Sequence, residues 1–102
     1  MSGTTKSKPK QPGIPLEAQE HLRKEIEGMG IYELEGGVRG RYCYVTHAGD
    51  PLCRLGYRGS LEEWDFAIYR YSRGNYGELP LAPDRGPVAK MLRMALHAYN
   101  LR

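Results

Sequence analysis

Eight tyrosines stand against one phenylalanine and one tryptophan, and four of them fall on alternate positions of strand-like runs. Tyr42 and Tyr44 alternate in RYCYV, Tyr69 and Tyr71 in IYRYS, and Arg54 sits in LCRLG. A tyrosine ring joins apolar area to a hydroxyl that wants a partner when buried. Rings interleaved with guanidinium groups on an open sheet can stack unpaired bases, each stack worth about 1–3 kcal/mol. The same residue types also anchor protein interfaces. Arg41, Arg58 and Arg70 lie beside these runs and would supply phosphate contacts at the margin of such a surface.

Other reactive side chains form no recognisable constellation. Cys43 and Cys53 are the only cysteines. A turn near residue 48 would set them opposite one another on adjacent strands, and core packing explains them better than a disulfide or a metal. His47 would bring a metal set to three ligands, and the zinc pattern of cysteines two to four apart is missing. His21, His47 and His97 are scattered, and no nucleophile motif or phosphate-binding glycine loop occurs. Glu62, Glu63 and Asp65 read as a solvated turn. No catalytic activity, cofactor or metal site is therefore expected.

Charge narrows the partners. The formal net charge is +3 over 102 residues. Residues 1–13 carry Lys6, Lys8 and Lys10 and no acid, so the excess belongs to that segment. From Ile14 onward 12 Lys/Arg balance 12 Asp/Glu, which argues against a strongly basic, histone-like protein. Locally, 37–60 and 79–102 are positive, while 14–36 and 61–78 are negative. Side by side, the two positive segments would form a basic patch. No apolar run reaches the roughly 18 residues of a membrane span, and the N-terminus lacks a secretory apolar stretch. A soluble, cytoplasmic protein is expected.

These residues need elements to position them. Residues 1–13 (MSGTTKSKPKQPG) cannot offset their own ordering entropy and are expected to be disordered, leaving 14–102 as one domain. Pro15 suits a first helical turn. Ala18, Leu22, Ile26 and Met29 share a helical face, and Gly28 and Gly30 end a helix over 15–28. Gly36-Gly37 between two β-rich runs predicts a hairpin turn, with strands at 31–35 and 39–46. HAGDP (47–51) is turn chemistry, and a strand over 52–58 follows. Ser60 and Glu63 match a capping box, but Trp64, Phe66 and Ile68 alternate, so a strand over 64–72 is expected after at most one helical turn at 60–63. Residues 73–86 read as a loop. Pro87 opens a last helix whose apolar stripe is Val88, Met91, Leu92, Ala95, Leu96 and Tyr99.

The order α-β-β-β-β-α with short connections predicts a two-layer α+β domain: an antiparallel meander of three or four strands with both helices on one face. It resembles the double-stranded-RNA-binding domain (α-β-β-β-α) in element order alone. Where that family has a lysine-rich K-K-x-A-K run, this chain has Gly86-Pro87-Val88-Ala89-Lys90, so no function carries over. Alternation assigns Cys43, Val45, Cys53, Leu55, Trp64, Phe66 and Ile68 to the helix-covered face. Tyr42, Tyr44, Arg54, Asp65, Tyr69 and Tyr71 fall on the other, with Leu52 as its one aliphatic residue. The plain alternative is an ordinary solvated sheet face. The leading expectation is a non-catalytic module that binds RNA or single-stranded nucleic acid through the tyrosine face. The competing one is a protein-interaction module or homodimer using the same face.

Overall fold

The computed structural model describes residues 13–101; the expected disordered tail lies, Gly13 apart, outside them. Pro15 is the N-cap of helix α1 (Leu16–Gly28), whose buried face is Ala18, Leu22 and Ile26. Glu17 in the first turn complements the helix dipole. Four strands then meander: β1 (Leu34–Arg39), β2 (Tyr42–His47), β3 (Asp50–Ser60) and β4 (Glu63–Arg70). Two short pieces, β5 (Asn75–Gly77) and β6 (Arg85–Gly86), both pair with β4. Helix α2 (Val88–Ala98) follows Pro87. Both helices contact the same face of an antiparallel sheet and also each other. The expected two-layer α+β architecture is what the chain adopts.

The core is the layer between helices and sheet. Trp64, Leu55, Met91, Leu92, Val45 and Val88 are fully enclosed there. Trp64 reconciles its one polar atom with burial by donating its indole N–H to the carbonyl of Leu61 at 3.1 Å. Alternation along β4 is clean: Trp64, Phe66 and Ile68 are buried between more exposed neighbours. The strand reading of this segment holds, ending at Arg70 instead of residue 72. The Ser60 hydroxyl accepts a hydrogen bond from the Glu62 amide at 3.0 Å, which stabilises a turn and starts no helix.

Four local expectations are corrected. Gly36 and Gly37 lie inside β1, paired with Val45 and Tyr44, and the hairpin turns at Gly40-Arg41 with Gly40 at φ 60°. Helix packing explains Gly36: a Cβ there would meet Ile26 Cδ1 at 2.7 Å and Cys43 Sγ at 2.9 Å. Secondly, Cys43 opposes Leu55 and Cys53 opposes Val45, so the cysteines are diagonal, not opposite. Two one-residue shifts are the cause: the turn at Ala48-Gly49 pairs Thr46 with Pro51, and a β-bulge at Val45/Thr46 then makes Leu52 the extra residue between Pro51 and Cys53. The same bulge turns Leu52 into the core at 2% exposure, overturning its place on the tyrosine face. Finally, the expected loop at 73–86 contains β5 and β6, whose three and two residues are too few to show alternation.

The β2–β3 hairpin turns on Ala48-Gly49, both with positive φ (53° and 85°), the geometry that favours Asn-Gly. Alanine in that conformation is strained by roughly 1 kcal/mol. Ala48→Asn should therefore raise stability by about 0.5–1 kcal/mol, read as a higher urea midpoint at unchanged slope.

Burial pushes the Cys43 thiol up to about 11 and Cys53 higher still. Because the folded state holds these protons more tightly, their contribution is complete below the ordinary thiol value of 9.0 and declines as pH rises toward 11. The unfolding free energy from urea titrations should fall across that window, by about 2–3 kcal/mol for Cys43 alone. The Cys43→Ala variant should decline less steeply.

Candidate functional site: the uncovered tyrosine face

Helices on one face leave the other to its own side chains. The pairing register builds it in rows. Tyr42 lies level with Gly56 and Asp65, and Tyr44 with Gly37, Arg54 and Ala67. Tyr69 pairs with Tyr76 on β5. Ring centroids then run Tyr42–Tyr44 (6.2 Å), Tyr44–Tyr76 (5.7 Å), Tyr76–Tyr69 (5.0 Å), Tyr69–Tyr71 (4.8 Å) and Tyr71–Tyr99 (5.9 Å). Most are edge-to-face, the arrangement that opposes the positive ring edge to the negative face. Six tyrosines thus form one connected aromatic chain that crosses the open face and rounds the end of the sheet.

Hydroxyls fix its far end. Tyr71 lies just past β4 and donates to the Pro51 carbonyl at 2.6 Å. Tyr99, the C-cap of α2, donates to the Tyr69 carbonyl, tying a helix terminus to a strand. Loss of hydration, with Asp50, Tyr99 and Tyr69 nearby, raises the Tyr71 phenol above its ordinary value. Tyr76 is raised chiefly by loss of hydration too, with Arg54 opposing the shift.

Arg54 is the central cation, 4.7 Å from the Tyr42 ring centroid and 5.1 Å from that of Tyr76. Arg41 lies 4.6 Å from Tyr42, and Arg39 lies 5.8 Å from Tyr44. Such contacts are worth about 0.5–1 kcal/mol at exposed sites. Arg41 also donates to the Tyr57 carbonyl at 2.9 Å and to Asp65 at 3.1 Å, while Arg58 holds the other Asp65 oxygen at 3.1 Å. Gly56 leaves the space this cluster occupies: a Cβ there would meet Arg41 Nη1 at 2.9 Å and the Tyr42 ring at 3.0 Å.

The sequence-derived set is thus only partly assembled. Tyr42, Tyr44, Arg54, Tyr69 and Tyr71 come together. Arg41 and Arg58 border them but are already engaged with Asp65. Arg70 shares the strand phase of Trp64, Phe66 and Ile68, so it belongs to the opposite side, where its guanidinium holds the Asn75 side chain at 3.0 Å and lies against Gly77. Sequence reasoning missed Tyr76, Tyr99 and Arg39 as members. Tyr76 lies in a segment whose glycines and prolines signal a loop, and Tyr99 fits the apolar stripe of the last helix. Arg39 shares the phase of Gly37, whose adjacency to Gly36 signals a turn in the sequence.

Tyr44 has an open flank, because its β1 partner is Gly37. There a shallow recess of about 320 Å³ is bounded by Gly37, Arg39, Tyr44 and Thr46. Among the described residues, no group of three or more metal-binding side chains gathers, and no helix is long and apolar enough to cross a membrane. No family model, curated protein or solved structure matches the chain, so the functional reading rests on these residues.

Replacing Tyr76 with Phe should remove one late-titrating phenol, seen as less phenolate absorbance gained at alkaline pH above the ordinary value of 10.0. An unchanged alkaline titration would contradict the shielded position given to this hydroxyl.

Proposed function

We propose that this protein binds single-stranded nucleic acid or unpaired RNA through the uncovered sheet face. The observation that carries the reading is the open flank of Tyr44: a ring beside a glycine, with Arg39 and Arg54 as its neighbours. A base has a π-face to lay against that ring, and the recess over Gly37 offers space beside it. Arg54 and Arg39 then stand where a backbone phosphate would pass. Neither has a carboxylate partner within ion-pair distance among the described residues. Tyr42, Tyr69, Tyr71 and Tyr76 extend the aromatic surface away from this point.

A second reading, a protein-interaction module using the same face, is favoured by the charge distribution. Arg41 and Arg58 share the Asp65 carboxylate, which offsets one of their two charges, and the chain from Ile14 onward is balanced in charge. Tyrosine and arginine without a basic excess suit a protein partner.

Fluorescence anisotropy with labelled oligouridylate and oligothymidylate, at low and high salt, separates the two. Tyr44→Ala should lower affinity by about 1–3 kcal/mol, or roughly 5–150-fold, with unchanged circular dichroism. Arg54→Ala should reduce the salt slope by about one. If the parent binds neither probe at low salt, or Tyr44→Ala binds like the parent, the nucleic-acid reading fails and the face passes to the protein partner.

A further inference from the structure

The sheet has two unlike edges. Beyond β4 the edge is occupied by β5 and β6, and the Phe66 amide is further bonded to the Asp84 carbonyl at 2.8 Å. The other edge is β1, six residues long with nothing paired to its outer side among the described residues. Natural edge strands are usually guarded by lysine, proline, a bulge or a covering segment. β1, reading LEGGVR, has no lysine, proline or bulge, its two charged residues Glu35 and Arg39 are of opposite sign, and its pairing with β2 is regular throughout.

Hydrogen-bond phase shows which groups are free. The two-residue turn at Gly40-Arg41 makes Arg39–Tyr42 the closing pair, and the Glu33 carbonyl accepts from the Ala48 amide at 2.9 Å. Odd-numbered residues of β1 thus bond to β2, and the N–H and C=O groups of Gly36 and Val38 point outward. Side-chain phase shows what an incoming strand would meet. Glu35, Gly37 and Arg39 face the tyrosine side, while Leu34, Gly36 and Val38 face α1.

We propose that β1 pairs antiparallel with β1 of a second copy about a two-fold axis at Gly37, forming a homodimer with one continuous sheet. The register follows from charge. A two-fold axis perpendicular to the sheet requires paired residue numbers with a constant even sum. With Gly37 on the axis, Glu35 of each copy stands opposite Arg39 of the other, giving two cross-strand ion pairs on the tyrosine side, so that in the dimer Arg54 is the cation left beside Tyr44 for a phosphate. Moving the axis to Gly36 or Val38 loses both pairs and sets Glu33 opposite Arg39 or Glu35 opposite Arg41, pairings that need a residue outside the strand. The same register sets Val38, 40% exposed, opposite the second copy's Gly36, so a side chain meets a glycine twice. It also forms hydrogen-bonded pairs from the backbone groups left free at Gly36 and Val38.

On the helix side, Val38 borders a groove of about 650 Å³ between α1 and β1, lined by Leu16, Ile26 and Leu34 together with Arg23, which is paired with Glu20 and Glu27. Leu16 is 81% exposed at its mouth. The second copy's Val38 would enter this groove beside Ile26. Because the axis is perpendicular to the sheet, the two tyrosine faces would lie side by side on the same surface.

The test is the mass of the full-length chain by light scattering behind size-exclusion chromatography, from micromolar to near-millimolar concentration and without nucleic acid. Its outcome is thus separate from that of the binding assay. The parent should be a dimer. Glu35→Arg places a cation opposite Arg39 at both symmetry-related sites and should raise the dissociation constant by about tenfold or more. Glu35→Arg combined with Arg39→Glu restores opposite charges and should recover the dimer, which separates pairing from misfolding. Val38→Pro removes an outward amide that β2 does not use, and should give a folded monomer. A parent that stays monomeric throughout, a dimer unaffected by Glu35→Arg, or a charge swap that fails to rescue it would overturn the proposal.

Discussion

Two helices of 13 and 11 residues are what this chain has to cover a sheet, and both lie on the same side of it. That asymmetry governs the rest of the structure. The covered face can be wholly apolar, and it is: Val45, Leu52, Leu55, Phe66 and Ile68 meet Leu22, Ile26, Met91 and Leu92. The open face must be compatible with water and still hold five neighbouring strand segments in place. Tyrosine meets both demands, because each ring shields its neighbour while each hydroxyl stays hydrated or finds a carbonyl. The face is half-buried by its own side chains and is neither a core nor a loose solvated surface.

Glycine and arginine complete that solution. Gly56 opens a lane in which Arg41 and the Tyr42 ring lie flat over β3, and Asp65 fixes Arg41 and Arg58 from the next strand. Exposed ion pairs of this kind contribute at most about 1 kcal/mol each. Their role here is geometric. By holding Arg41 and Arg58 at one end of the face, Asp65 leaves Arg54 and Arg39 as the cations beside Tyr44.

Much of this could be read from residue spacing. The alternation of Cys43 with Val45 and of Trp64, Phe66 and Ile68 separated the two faces, and the 3.6-residue rhythm of Ala18–Leu22–Ile26 placed α1. The misreadings share a cause: tertiary packing overrode a local signal. Gly36-Gly37 looked like a turn, but one glycine exists to admit Ile26 and the other leaves Tyr44 uncovered on one side. The bulge at Leu52 has no local signature; it adds to the one-residue shift set by the turn at Ala48-Gly49, and its effect on the cysteines and on Leu52 appears only when β2 and β3 are paired. Tyr76 joined the site through pairing of a three-residue strand, too short for periodicity to reveal.

The position of Trp64 gives the protein two separate optical reporters. The single indole is enclosed between sheet and helices, edge-on to Tyr57 at 5.1 Å, whereas six other phenols form the chain on the far surface or around its end. Indole emission therefore follows the integrity of the core, and the ultraviolet signature of the phenols follows events on the open face. One sample can distinguish loss of fold from occupation of that surface without any added label.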